Sequence, residues 1–419
     1  MSGDREHRIV AHPSSGSRLA GIEGLRALAA SSIVVMHCWL YSSENPVGSG
    51  GVTEVLMANL ALGVTLFFCL SGFLLYRPFA AAIARGRPLP SIAGYFRNRT
   101  LRIVPAYWVI LVVTALVLGA VRIRDPSGAL GVGHLSDLTL LQSILLVQHY
   151  HPSTLATGIG PAWSLAVEVV FYLALPMLAI VAARIAAITS VGGRRIIALM
   201  FPPLLLLLVG ISGKYVAGVV VPAPPTAGWD QNWHSVIERS FWAQADLFSF
   251  GMMVAVARVE VADGRLRLAG AWRPAALVVA ALLLVPCALT FDGAQLSYLP
   301  QNTVVALAFS LVLATVVVAE PRAAPWRGTR LLETGPLTAV GVVSYSLFLW
   351  HEPLQLWLRD HGLTFGGWGG LVPNLLVIGV VAGSLSALTY RFVEAPALRR
   401  KRSTGVAPPV PGAQLQAAP

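Results

Sequence analysis

Arg26 and His37 stand ten residues apart in one apolar run, Ile22-Glu23-Gly24-Leu25-Arg26 through Met36-His37. At about 100° per residue the interval is three helical turns plus roughly 20°, so a helix sets both on one face, about 16 Å apart along its axis. An imidazole within an apolar helix is a candidate general base, and a guanidinium at the helix end is a candidate anion site. A snorkelling arginine and a hydrogen-bonded core histidine account for the pair equally well. A second apolar run opens Gly160-Pro161-Ala162-Trp163-Ser164 and carries Glu168, Phe171 and Tyr172. Proline suits a helix start. Glu168 lies about two turns in and can share a depth with His37, which would make it the carboxylate that orients the ring. The alternative is that Glu168 bonds Ser164, Trp163 or another helix as structural glue.

The segment Gly94-Tyr95-Phe96-Arg97-Asn98-Arg99-Thr100-Leu101-Arg102 ends just before Pro105. Arg99 and Arg102 are spaced i, i+3 and share a helix face, and with Arg97 they form a cationic patch suited to bidentate phosphate contact. Topology and attraction to anionic lipid explain the same residues. Ser71 and Gly72 sit within Leu66–Leu74, where small residues allow close helix contact. Ser344-Tyr345 and Trp350-His351-Glu352 lie in a later run. His149 and His151 have no third ligand at metal spacing, so no metal site is expected. Nucleotide loops and a nucleophilic serine elbow are absent from the sequence.

These residues need a frame to hold them. Of 419 residues, 56% are hydrophobic and only 12% charged, and the mean hydropathy is +0.70. A soluble domain carries about 25% charged residues, so an ordinary soluble enzyme and a disordered chain are both excluded. The net charge of +11 is scattered between apolar runs, unlike the basic face of a nucleic-acid binder. Cys38, Cys69 and Cys287 form no disulfide framework. A bilayer core needs about 20 apolar residues per helix. On that window ten spans are expected, near 22–42, 56–76, 103–121, 161–182, 196–221, 240–257, 275–290, 301–319, 335–357 and 373–393. With both termini cytoplasmic, 25 of the 30 Lys and Arg residues fall on the inner side, as cationic loops resist translocation. The expected fold is an all-α polytopic transmembrane bundle over residues 18–398. Residues 1–17 and 399–419 are expected to be disordered cytoplasmic ends.

In this frame the chain resembles the acyltransferase 3 family of integral-membrane O-acyltransferases. The resemblance rests on the Arg-ten-His interval of Arg26 and His37, on GVTLFFCLSGFLLYRPF (63–79) and RNRTLRIVPAYW (97–108), and on PAWSLAVEVVFY (161–172), SYSLFLWHEPL (344–354) and RFVEAP (391–396). Glu23 and Asn98 depart from the family pattern, and neither is assigned chemistry. The resemblance implies transfer of an acyl group from acyl-CoA, acetyl-CoA or another short one, to a hydroxyl of a carbohydrate, glycolipid or glycosylated natural product such as a macrolide sugar. It implies His37 as catalytic residue and the arginines as needed for activity; on the residue reading above, Glu168 orients the ring and Arg26, Arg97, Arg99 and Arg102 hold the donor. Ser71, Trp163, Ser164, Tyr172, Tyr345 and His351 are then the acceptor or pocket residues. No resident cofactor is expected, and the setting is the bacterial cytoplasmic membrane. The competing reading is a proton-coupled exporter in which Arg26, His37 and Glu168 form a relay; it predicts paired repeats, and none is visible.

Overall fold

The computed structural model describes residues 19–42, 51–125, 127–188, 194–221, 229–289, 299–319 and 326–401. The expected disordered ends lie outside the described residues, except for 399–401. There the chain is ordered: a short helix, Ala395–Arg399, closes with the N–H of Lys401 donating to Leu398 O at 3.2 Å.

Each of the ten apolar runs forms a helix of at least 18 residues among the described residues. They are α1 (Ile22–Ser42), α2 (Gly63–Ala84), α3 (Ile92–Val112), α4 (Trp163–Ile188) and α5 (Arg194–Tyr215), then α6 (Phe241–Ala262), α7 (Trp272–Leu289), α8 (Leu299–Val317), α9 (Gly335–Asp360) and α10 (Gly367–Thr389). Six helical segments are long and apolar enough to cross a membrane: those of α1 to α5 and of α10. In the other four, α6 and α9 bury Gln244, Asp246, His351 and Glu352, while α7 and α8 are the shortest. The protein is an all-α helical membrane protein with one small hairpin.

The third helix departs from expectation in a way that matters. It starts at Ile92, eleven residues before the apolar run expected at 103, because Ser91 caps it: Ser91 Oγ accepts the N–H of Gly94 at 3.2 Å. A capped polar turn is as helical as an apolar one, and a hydropathy window does not see it. Arg97, Arg99 and Arg102 therefore ride on α3 itself, and Pro105 lies inside the helix instead of marking its start.

The hairpin pairs β1 (Val121–Arg124) with β2 (Leu130–Gly133), Val121 facing Gly133 and Arg124 facing Leu130. Its turn is fixed by Asp125, whose Oδ1 accepts the N–H groups of Ser127 and Ala129, each at 2.9 Å. Together with the segments 148–162 and 229–240, the hairpin covers one end of the bundle.

Close packing is set by glycines. A Cβ on Gly72 would strike the backbone of Phe248, and one on Gly251 the backbone of Cys69, so α2 and α6 lie backbone to backbone. Gly341 does the same between α9 and Glu23 of α1. Between α5, α6 and α8 a buried polar knot replaces apolar contact. Lys214 Nζ donates to Asp246 Oδ2 at 2.5 Å and to Thr303 Oγ1 at 2.6 Å, and Thr303 Oγ1 donates to Asp246 Oδ2 at 2.6 Å.

Gly341→Ala should force α1 and α9 apart. A loss of about 1–3 kcal/mol is expected for overpacking, seen as a lower unfolding midpoint of the purified protein, whereas alanine at Gly379, which has open space around its Cβ position, should leave the midpoint unmoved.

Candidate active site

His37 is half-buried on α1, and what touches it comes from α9. Its Nδ1 lies 3.0 Å from Ile33 O, one turn back, and 3.1 Å from Nε2 of His351. His351 is fully buried and sets its own Nδ1 3.1 Å from Leu347 O. A carbonyl only accepts, so in the neutral rings Nδ1 of each histidine carries the proton. His351 Nδ1–H then donates to Leu347, and His351 Nε2 is left bare to accept from His37 Nδ1–H. The outcome is a basic Nε2 on His37.

The next residue of α9 makes the charged surroundings. Glu352 is 1% exposed. Its Oε1 accepts from Tyr41 OH at 2.7 Å and from Arg122 of the hairpin, Nε at 2.8 Å and Nη2 at 2.6 Å. Arg122 also donates to Tyr41 OH, and the Tyr41 ring is flanked by Arg122 and Arg359 at 6.0 and 5.9 Å from its centroid. The main chain of Arg122 is tied too: it exchanges both hydrogen bonds with Gly158, at 3.0 and 2.8 Å. Glu352 and Arg122 are thus the charged neighbours of His37.

His37 lines a cavity of ≈ 180 Å³ beneath the hairpin. One wall is apolar, from Ile33, Met36, Leu40, Ala61, Leu62 and Val64; the other is polar and aromatic, from Trp163, Trp229, Glu238, Arg239, Gln244 and Asn302. Arg239 stacks 3.7 Å above the centroid of Trp229 and pairs with Glu238 at 3.0 Å. A second cavity of ≈ 110 Å³ lies toward the start of α1, lined by Arg26, Arg99, Arg102, Ser71, Glu168 and Tyr345 among others. Phe68 and Phe348 line both, so the two rings form the partition.

This second cavity gathers cations. Arg26 Nε donates to Ser344 Oγ at 3.2 Å, with Glu23 at 3.8 Å. Arg102 pairs with Glu394 at 3.2 Å and lies over the Tyr345 ring. Lys401 joins them from the end of the described chain: burial, and then Arg99, Arg102 and Arg26, push its ammonium down to about 7.

Set against the sequence, His37 and Arg26 are placed as expected on one helix, and Arg99 and Arg102 share a cavity. Glu168 is a correction. It does not meet His37; it accepts from Ser71 and, at 2.7 Å, from Tyr172, and it lines the cationic cavity. Matching depth is not enough, because α9 packs along α1 and occupies the place given to α4. Arg97 is a second correction: two residues from Arg99, it turns to the other side of α3, is exposed and lines neither cavity. The six pocket candidates divide. Trp163 lines the hairpin-side cavity; Ser71, Ser164, Tyr172 and Tyr345 line the cationic one; His351 lies behind His37. The residues that sequence reasoning missed are Tyr41, Arg122, Glu238, Arg239, Lys401 and the pairing role of Glu352. Arg122, Arg239 and Lys401 were read as topology signals only, although an arginine flanking a span with a carboxylate in the next-to-last helix hints at a pair.

A family model described as an acyltransferase domain matches residues 19–391. The chain belongs to the acyltransferase 3 family. It is similar to nodulation protein 10 of Rhizobium leguminosarum bv. viciae, 26% identical over 416 residues, covering 93% of this chain and 96% of that one. It is also similar to acyltransferase MdmB of Streptomyces mycarofaciens, 29% identical over 163 residues, 38% of this chain and 39% of that protein. No solved structure matches it. The chain is therefore an acyltransferase of the membrane, and the residues lining both cavities all lie within the matched segment.

Arg122→Ala should leave Glu352 buried without its cation. Breaking such a pair costs about 3–5 kcal/mol, and with Arg122 24% exposed the lower end is expected, read as a drop in the unfolding midpoint that Arg122→Lys only partly restores.

Proposed function

We propose that this acyltransferase moves an acyl group from acyl-CoA to a hydroxyl of a carbohydrate, glycolipid or glycosylated natural product, with His37 as general base. The observation that carries this reading is the pair of cavities meeting at Phe68 and Phe348, one cationic and one holding the basic Nε2 of His37. Arg26, Arg99, Arg102 and Lys401 suit the phosphates of CoA, which guanidinium groups bind bidentately. The pantetheine arm then runs between the two phenylalanine rings. The interval from Arg26 to His37, about 16 Å along α1, is one that an extended arm can bridge.

In the reaction His37 Nε2 takes the proton of the acceptor hydroxyl as its oxygen attacks the thioester carbonyl carbon. The carbon–sulfur bond breaks, the imidazolium returns the proton to the departing thiolate, and the products are an ester and CoA. While the imidazolium exists, Nδ1–H donates to His351, and Glu352 supplies the nearby negative charge. A hydrogen-bonded, oriented base is the arrangement general-base catalysis requires. The polar wall with Trp229 and Arg239 offers an acceptor ring an aromatic face and hydrogen-bonding groups.

The membrane setting follows the charge asymmetry. Ten spans with both termini cytoplasmic place the cationic cavity on the side where acyl-CoA is made, and the hairpin on the outside, in a bacterial cytoplasmic membrane. The exporter reading loses its relay, since Glu168 is bonded to Ser71 and Tyr172 on the other side of the phenylalanine partition from His37.

The decisive experiment supplies acetyl-CoA and a panel of glycosides to the purified protein, with mass spectrometry of the products. His37→Ala should lower transfer by about 10²–10⁴-fold while CoA still binds; Arg99→Ala with Arg102→Ala should lose CoA binding. Full transfer by His37→Ala would remove the base from the mechanism.

Lys401 adds a pH signature. Its amine titrates at about 7 in the free protein, and bound phosphates favour the ammonium, which raises that value. Above pH 7 binding must take up a proton, so CoA affinity should fall as pH rises from 7 toward the ordinary lysine value of about 10.4. Calorimetry across that range should show the decline in the wild type and a flat profile in Lys401→Met.

A further inference from the structure

The acyl group is the leading end of the donor, and this decides where it must lie. With CoA phosphates in the cationic cavity and the thioester at His37, everything beyond the carbonyl carbon projects past the Phe68 and Phe348 rings into the hairpin-side cavity. That cavity is divided lengthwise. Ile33, Met36, His37 and Leu40 are spaced i, i+3, i+4 and i+7, one continuous stripe of α1, and Ala61 and Leu62, in the turn before α2, with Val64 and Thr65 of its first turn line the same space. The two helices cannot separate there, because Gly63 sits against Ala29 O and Ser32 Oγ with no room for a Cβ. Glu238, Arg239, Gln244 and Asn302 all stand on the other wall.

We infer that the Met36–Leu40–Ala61–Leu62 wall is an acyl-chain subsite, built for a short aliphatic acyl group longer than acetyl. This rests on the acyl-CoA reading above and extends it to donor specificity. An acetyl group ends at the imidazole and leaves the apolar wall uncovered. Each further methylene exchanges water for that wall, worth about 0.8 kcal/mol when fully buried, or roughly fourfold in affinity. Apart from His37 itself, Thr65 is the one polar side chain that α1 and the 61–65 segment bring to the cavity, so this side is mostly hydrocarbon. Acceptor hydroxyls are left the opposite wall, so the two substrates meet at His37 from different sides.

The test uses unreactive S-alkyl-CoA thioethers, from S-ethyl to S-hexyl, with the protein in nanodiscs and CoA itself as reference. In the wild type, affinity should climb about fourfold per methylene and then level off where the wall ends. Ala61→Phe fills the subsite and should flatten the climb while the Kd for CoA stays unchanged. Met36→Ala should move the plateau to longer chains. A wild-type series with no climb, or a climb that persists unaltered in both variants as bilayer partitioning would produce, overturns the subsite. Absence of binding by CoA itself overturns the donor reading beneath it, a separate and recognisable result.

Discussion

A neutral imidazole owns one N–H, and the position of that proton decides which nitrogen can take another. On α1 two acceptors, Ile33 O and His351 Nε2, converge on Nδ1 of His37, so the proton is held there and Nε2 is left basic. His351 can accept only because its own proton is committed to Leu347 O. The backbone of two helices thus sets the protonation pattern, and the close α1–α9 contact at Gly341 keeps those helices in register. Tyr41, Arg122 and Glu352 complete the arrangement by balancing charge within a few ångströms of the ring. Loosening any one of these contacts changes the same nitrogen.

The two cavities are unlike environments, as the proposed bisubstrate reaction would need. One gathers Arg26, Arg99 and Arg102, with Glu23, Glu168 and Glu394 beside them; the other sets a mostly hydrocarbon side against polar residues. A chain built only for stability would not pack Arg26, Arg99, Arg102 and Lys401 within reach of one another, because like charges brought together in a low dielectric repel. An anionic ligand would relieve that repulsion, which is what the proposed donor site requires. Glu168, Ser71 and Tyr172 line the same cavity as the cluster and satisfy one another.

Much of this was legible before any coordinates. Helical periodicity alone places Arg26 and His37 on one face, and a 20-residue window finds all ten long helices. What it cannot supply is rotation. Glu168 and Glu352 are both carboxylates within apolar runs, and the choice between them depends on which helix lies beside α1 and which face it turns. Arg97 failed for a smaller version of the same reason, its helix beginning where the sequence was too polar to be counted as a span. Arg122 was hidden because it reaches the site from a hairpin whose docking is a tertiary matter. The segments that carry the family resemblance supply residues to both cavities, and which of those residues pair with one another is set by helix rotation.

Lys214 and Asp246 bear on how the chain reaches its membrane. Asp246 weakens α6 as a span, since an ionised carboxylate in hydrocarbon costs about 2.5–3.5 kcal/mol on translocon scales at a helix centre and less in the second turn, where Asp246 stands. Its neutralising partner stands on α5, the preceding long helix, and the two are bonded at 2.5 Å. Bonded to each other, the two helices form a couple whose opposite charges cancel. The order of synthesis, strongly apolar α5 first and then its reluctant companion, is the order in which such a couple can form at the ribosome-bound channel.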